Sequence, residues 1–226
     1  MVRSILGALL FCALVASFAA VPASATSGEL LSFNGIGNLQ AVGSFYNGGG
    51  LTSTPNYGVT FSSNFYGLIS IANGGAGNFA PNITNSPAIF MLGPNGSAAT
   101  GTMNVSGGFT TGLNFFYTAG FAGTKTGTVT IWSGANGTGT ILATIQLSNN
   151  NAGCTSPAYC TWSSVGLSFS GTANSVTFSG PANQLGLSDI TLGSSTTAVP
   201  EPSSMYLFAS GLTLLSVVRL RRFLGI

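Results

Sequence analysis

The sequence predicts an all-β domain, an antiparallel β-sandwich wound as a jelly roll, and three observations predict it. Short runs rich in Phe, Val, Ile, Leu and Thr follow one another through residues 26–198. Several of them alternate apolar and polar residues with the period of two that a half-buried strand requires. Gly, Asn and Pro punctuate the intervals, where turns need them. No 3.6-residue apolar period occurs within the stretch, and no fixed-length repeat supports the runner-up fold, a β-solenoid. Its 173 residues are enough for one domain with a real core.

In chain order the strand candidates are ELLSFNG from Glu29, YGVTFSS from Tyr57, YGLISIA from Tyr66, AIFML from Ala88, GTMNVSG from Gly101 and GLNFFYT from Gly112. They continue with GTVTIWSG from Gly127, TILATIQLS from Thr140, SSVGLSFSG from Ser163, NSVTFSG from Asn174 and LGLSDITLG from Leu185. Alternation is clearest in Val129-Thr130-Ile131 and Val176-Thr177-Phe178. The best local motif is a hairpin about Gly134 to Gly139, a loop of Gly and Asn suited to the positive φ angles that it needs.

Charge is scarce and unevenly placed. Charged residues make up 4% of the chain, against roughly 25% in ordinary soluble proteins. Residues 26–198 keep only Glu29, Lys125 and Asp189, a net charge of −1. The basic residues cluster at the chain ends, so no folded basic face exists for nucleic acid. The surface must be built from Ser, Thr, Asn and Gly, which suits an extracellular or matrix setting.

The two ends read as addresses. Residues 1–25 combine Arg3, an apolar stretch from Ile5 to about Ala20, and Ala23-Ser24-Ala25 as an A-x-A site, the three parts of a secretory signal peptide cut after Ala25 by signal peptidase. A retained anchor is the alternative. At the other end, Ser203 to Val218 is an uncharged run of 16 residues. As a helix at about 1.5 Å per residue it covers about 24 Å of a bilayer core of about 30 Å. Arg219, Arg221 and Arg222 follow as a stop-transfer cluster.

Val199-Pro200-Glu201-Pro202, then a short apolar helix, then terminal arginines resembles the PEP-CTERM sorting signal of bacterial exported proteins. The resemblance covers residues 199–226 and leaves 26–198 as the ectodomain. It implies processing by an exosortase at the Pro200-Glu201-Pro202 motif, transient residence in the inner membrane through the C-terminal helix, and delivery to the outer surface or matrix in association with exopolysaccharide. The ectodomain also resembles those of some PEP-CTERM proteins and, more loosely, jelly-roll carbohydrate-binding modules. Two other roles for the ectodomain stay open, a lectin-like module and a self-assembling adhesin.

Catalytic chemistry is sparse. The chain has no histidine, which removes Ser-His-Asp and Cys-His arrangements, so no enzymatic role and no catalytic residue are expected. Glu29 and Asp189 lie in the first and last strands, which often pair in such folds, and two carboxylates are the minimum for a glycosidase. The preferred reading of Asp189 is a turn cap or an acceptor of backbone hydrogen bonds. No cofactor is required. A structural Ca²⁺ assembled from Asp189, Glu29 or Asn34 and backbone carbonyls is a further option. Cys154 and Cys160 are expected to form a disulfide closing CTSPAYC in an oxidising compartment, with free thiols or a metal pair as alternatives. Trp132, Trp162, Tyr46, Tyr57, Tyr66, Tyr117 and Tyr159 would stack on sugar rings if several shared an exposed face, and otherwise belong to the core. IANGGAGNFAPN is read as a loop rather than a phosphate cradle, because Pro81 and Pro87 follow, with neither a helix pattern nor a Lys.

Overall fold

The computed structural model describes residues 28–123 and 125–196. Within them lie eleven strands and two single-turn 3-10 segments, Ile71–Asn73 and Ala135–Gly137. The strands are β1 (Glu29–Leu31), β2 (Val59–Phe61), β3 (Phe65–Leu68), β4 (Ala88–Met91), β5 (Ala98–Phe109) and β6 (Gly112–Ala119), followed by β7 (Gly127–Trp132), β8 (Ile141–Leu147), β9 (Ser163–Ser168), β10 (Ala173–Pro181) and β11 (Leu185–Leu192). Each of the eleven sequence segments contributes one strand. The signal peptide with its Ala25 site, Pro200-Glu201-Pro202, the C-terminal apolar run and Arg219, Arg221 and Arg222 lie outside the described residues. No helix among the described residues is long and apolar enough to cross a membrane.

All pairings between strands are antiparallel, and they form two sheets packed face to face as a β-sandwich. The first sheet has the order β3-β4-β11-β6-β9, with β1 also on β11, and the second has the order β2-β5-β10-β7-β8. The pairings nest: β7 with β8, β6 with β9, β5 with β10 and β4 with β11. This is the course of one long hairpin rolled over so that alternate segments fall in opposite sheets.

Side-chain alternation places the core between the sheets. In β7, Val129 and Ile131 are buried and Thr128, Thr130 and Trp132 face outward. Phe115, Phe178, Phe65, Phe61, Phe33 and Tyr46 form a continuous series of edge-to-face contacts, with ring centroids 5.4–6.0 Å apart. Each such pair adds about 0.5–1.5 kcal/mol beyond the area it buries. The β7–β8 hairpin has the predicted loop chemistry, with positive φ at Asn136, Gly137 and Gly139.

Candidate functional site

The outer face of the second sheet is built almost wholly from hydroxyls and amides. Strand register lines them up in three rows across the strands. One row runs Thr100, Ser179, Thr128, Gln146, and the next Thr102, Thr177, Thr130, Thr144. The third runs Thr60, Asn104, Ser175, Trp132. Rows are about 6.8 Å apart along the strands, and neighbours within a row about 4.8 Å apart. No charged residue stands in any of the three.

Local bonds hold these side chains in place. Thr100 Oγ1 and Ser179 Oγ are hydrogen-bonded at 2.9 Å, and Trp132 Nε1–H donates to Thr177 Oγ1 at 2.9 Å. Asn104 and Asn136 are doubly joined: Asn104 Nδ2 donates to Asn136 Oδ1 (2.9 Å), and Asn136 N–H donates to Asn104 Oδ1 (2.7 Å). The second bond depends on the left-handed backbone at Asn136, which Asn tolerates better than most residues. Beneath that turn Ser175 is fully buried, accepting from Gly137 N–H and donating to the Gly134 carbonyl. A cavity of about 350 Å³ opens at this end of the face, lined by Asn47, Thr60, Asn104, Ser106, Asn136 and Asn174. The opposite end carries one of about 370 Å³ beside Thr100, Thr128, Ser179 and Lys125.

The aromatic residues do not share a face. Trp132 is half-buried on the hydroxyl face, while Trp162 packs outside the other sheet, its Nε1–H on the Ala80 carbonyl (2.7 Å) and its ring edge-to-face with Phe79 (5.7 Å). Close to Trp162, Tyr159 helps to wall a pocket of about 250 Å³ with Leu68, Phe79, Phe90, Asn183 and Leu185. Burial raises the pKa of its hydroxyl. Tyr46 and Tyr117 are core residues. The Tyr46 hydroxyl accepts from Phe33 N–H at 2.6 Å, and burial pushes its pKa up to about 12. Tyr57 stacks on Tyr46, and Tyr66 is half-buried on β3.

The two carboxylates stay apart. Glu29 is exposed opposite Leu192, whereas the β1–β11 register brings the level of Ser32 to Asp189, three residues further along. Asp189 is only 4% exposed. Its Oδ2 accepts from Asn82 Nδ2 at 2.8 Å and from Thr84 Oγ1. The expected turn cap or backbone acceptor is therefore replaced by an acceptor of side-chain bonds from a distant loop. Asp189 Oδ1 is buried with no partner among the described residues. Of the residues named for a structural Ca²⁺, Glu29 and Asn34 are exposed and Asp189 is buried. No cluster of three or more His, Cys, Asp or Glu occurs among the described residues.

Cys154 and Cys160 form the expected disulfide. It closes a loop that Asn151 also pins, through Thr161 N–H on Asn151 Oδ1 (2.8 Å). IANGGAGNFAPN is a loop containing one 3-10 turn, and Ala80 N–H donates to the Tyr159 carbonyl, tying it to the disulfide segment. Sequence reasoning missed the hydroxyl rows, although a signal was present. Thr100-x-Thr102, Thr128-x-Thr130 and Thr177-x-Ser179 each repeat a hydroxyl at period two, and only the register shows that the three repeats are adjacent.

No family model matches the chain, and no curated protein does. Among solved structures, the K2 cleaved adhesin domain of Lys-gingipain is similar at 15% identity and a TM-score of 0.48, over 74% of this chain and all of that one. A carbohydrate-binding module of Cellvibrio mixtus lichenase 5A, in complex with cellotriose, is similar at 9% identity and a TM-score of 0.35, over 75% of this chain and 99% of that one. A family 11 carbohydrate-binding module from Clostridium thermocellum gives 9% and 0.31, over 61% and 85%. These are likenesses in the course of the strands, and no residue role is carried over from them.

Proposed function

We propose that this chain is a non-enzymatic exported surface or matrix protein whose β-sandwich, read from its nested pairing as a jelly roll, holds neutral exopolysaccharide on the outer face of the second sheet. The observation that carries the reading is the two uncharged rows of hydroxyls and amides left open on this face, with Trp132 beside them where the Ala135–Gly137 turn covers Ser175 of the third. A neutral glycan presents hydroxyls that both donate and accept, and Thr, Ser, Asn and Gln can answer either way. An indole at the margin supplies the apolar face on which a pyranose ring can rest. Such a site needs no charge, and a flat face accepts a polymer chain more readily than a single sugar.

Delivery rests on the two terminal signals. Cleavage after Ala25 exports the chain, the C-terminal helix and Arg219, Arg221 and Arg222 delay it in the inner membrane, and an exosortase processes it at Pro200-Glu201-Pro202. The test of binding is affinity electrophoresis in gels containing a neutral polysaccharide. We expect retardation of the wild type and about a tenfold weaker effect in Trp132→Ala, equivalent to about 1.4 kcal/mol. Equal mobility with and without every neutral polysaccharide tried would remove the contact face from the proposal. The test of delivery is mass and cell fraction of the product in the native host. Glu201→Ala is expected to give an uncut, membrane-retained form, and processing like the wild type would reduce the tail to a plain anchor.

A further inference from the structure

Besides β1, which adds three residues and the charge of Glu29 on β11, the two sheets end in four strands that are not equally protected. A strand at a sheet edge exposes a row of unpaired N–H and C=O groups, and natural proteins cover or charge such edges. Two of the edges here are covered by one segment, residues 39–46. On β3, Leu39 N–H and Val42 N–H donate to the Gly67 and Phe65 carbonyls, and Gly67 N–H donates to the Gln40 carbonyl. On β2, Tyr57 N–H and Val59 N–H donate to the Tyr46 carbonyl, and Phe61 N–H donates to the Gly43 carbonyl. The third edge, β9, is crossed by the chain leaving β11, where Ser195 lies against Gly166.

The fourth edge, β8, is left open. Its only strand partner is β7, and no other main-chain hydrogen bond reaches Ile141–Leu147 among the described residues. The usual protections are missing too. β8 contains no Pro, and residues 126–188 contain no charged side chain at all. Ile141 is 54% exposed, and Leu142, Ala143 and Ile145 are only partly buried against the core. The one bulge lies at its start, between the Ile131 and Trp132 pairings, so Ala143 to Leu147 is regular strand.

We propose that β8 pairs antiparallel with β8 of a second copy of this chain, joining two five-stranded sheets into one. The partner is a second copy because the strand is complementary to itself. A two-fold axis at Ile145 places Ala143 opposite Leu147, two inward apolar residues, and Thr144 opposite Gln146, two outward polar ones. A two-fold sets each residue against its own symmetry mate or a near neighbour, so one charge in the strand would repel itself. β8 has none. The same axis carries the row Thr102, Thr177, Thr130, Thr144 onward into Gln146, Thr128, Ser179 and Thr100 of the second copy. The pairing thus doubles the uncharged face, but it rests only on the edge and not on glycan binding.

The experiment reads particle mass by light scattering on the full chain in detergent micelles, with no polysaccharide present, so its result is independent of the contact-face reading. The wild type is expected to carry two chains per particle. Thr144→Lys with Gln146→Lys, and separately Thr144→Glu with Gln146→Glu, should each give one chain, because both positions are exposed and face their like in the pair. Mixing the two variants should restore two. A wild type with one chain per particle overturns the proposal without reference to any variant. Dimers that persist in both charged variants overturn it as well, since association through the apolar tail would survive those changes. So does mass that grows without limit into fibres, which a closed two-fold does not produce.

Discussion

Tyr46 is buried in the aromatic series, and its hydroxyl is held against Phe33 N–H. Burial raises its pKa to about 12, whereas the unfolded chain titrates at the ordinary 10. The folded state therefore keeps a proton that the unfolded state gives up. Stability from this source is complete below pH 10 and falls as pH rises toward 12, by about 2–3 kcal/mol in all. Thermal midpoints measured from pH 9 to 12 should fall in the wild type and fall less steeply in Tyr46→Phe, where Tyr159 still contributes, and that variant starts lower because Phe33 N–H loses its acceptor. Asp189 is a second sensitive point. Asp189→Ala would remove a buried acceptor from Asn82 Nδ2, which keeps Ser188 Oγ, and from the Thr84 hydroxyl, which can turn to Ser86 Oγ, so the cost by urea unfolding should be about 1–2 kcal/mol. The pairing of Cys154 with Cys160 was legible in the sequence because six residues and an oxidising address suffice to suggest it. The role of Asp189 was not. Its partners lie 105 and 107 residues away and reach it only once β11 has been placed.

At the scale of elements, every strand was legible because short apolar runs bounded by turn residues, several of them alternating with period two, are local properties. The cover over the β2 and β3 edges was invisible, since residues 39–46 bond through their main chain and carry no alternating pattern. The 3-10 turn at Ile71–Asn73 was likewise too short to leave a period. Packing between elements is specified by small residues as much as by large ones. Gly101 in β5 lies directly beneath the Phe65 ring, where an added Cβ would overlap it. Gly101→Ala should displace Phe65 from its edge-to-face contacts with Phe61 and Phe178 and destabilise the domain by about 1–3 kcal/mol. A thermal melt of the exported chain reads this, and an unchanged midpoint would mean that the ring moves aside freely.

For the molecule as a whole, the scarcity of charge decides how it meets a partner. A polyanion would need a basic patch, and the described residues offer only Lys125, whose ammonium donates to the Gly96 carbonyl at 2.8 Å. Contact through the threonine rows has no ionic component to screen. Raising salt from 0.05 to about 0.5 M shortens the Debye length from about 14 Å to about 4 Å and suppresses attraction between exposed charges. Binding of neutral polysaccharide should then be unchanged within about twofold, and sulfated or uronate-rich polymers should bind no better at low salt. Affinity that fell tenfold over this range would point to a charged surface outside residues 28–196 as the real contact. Lys substitution at Thr130, in the centre of the face, separates the two cases. It should weaken neutral glycan by interrupting the row, yet strengthen a polyanion by supplying the cation that the domain lacks.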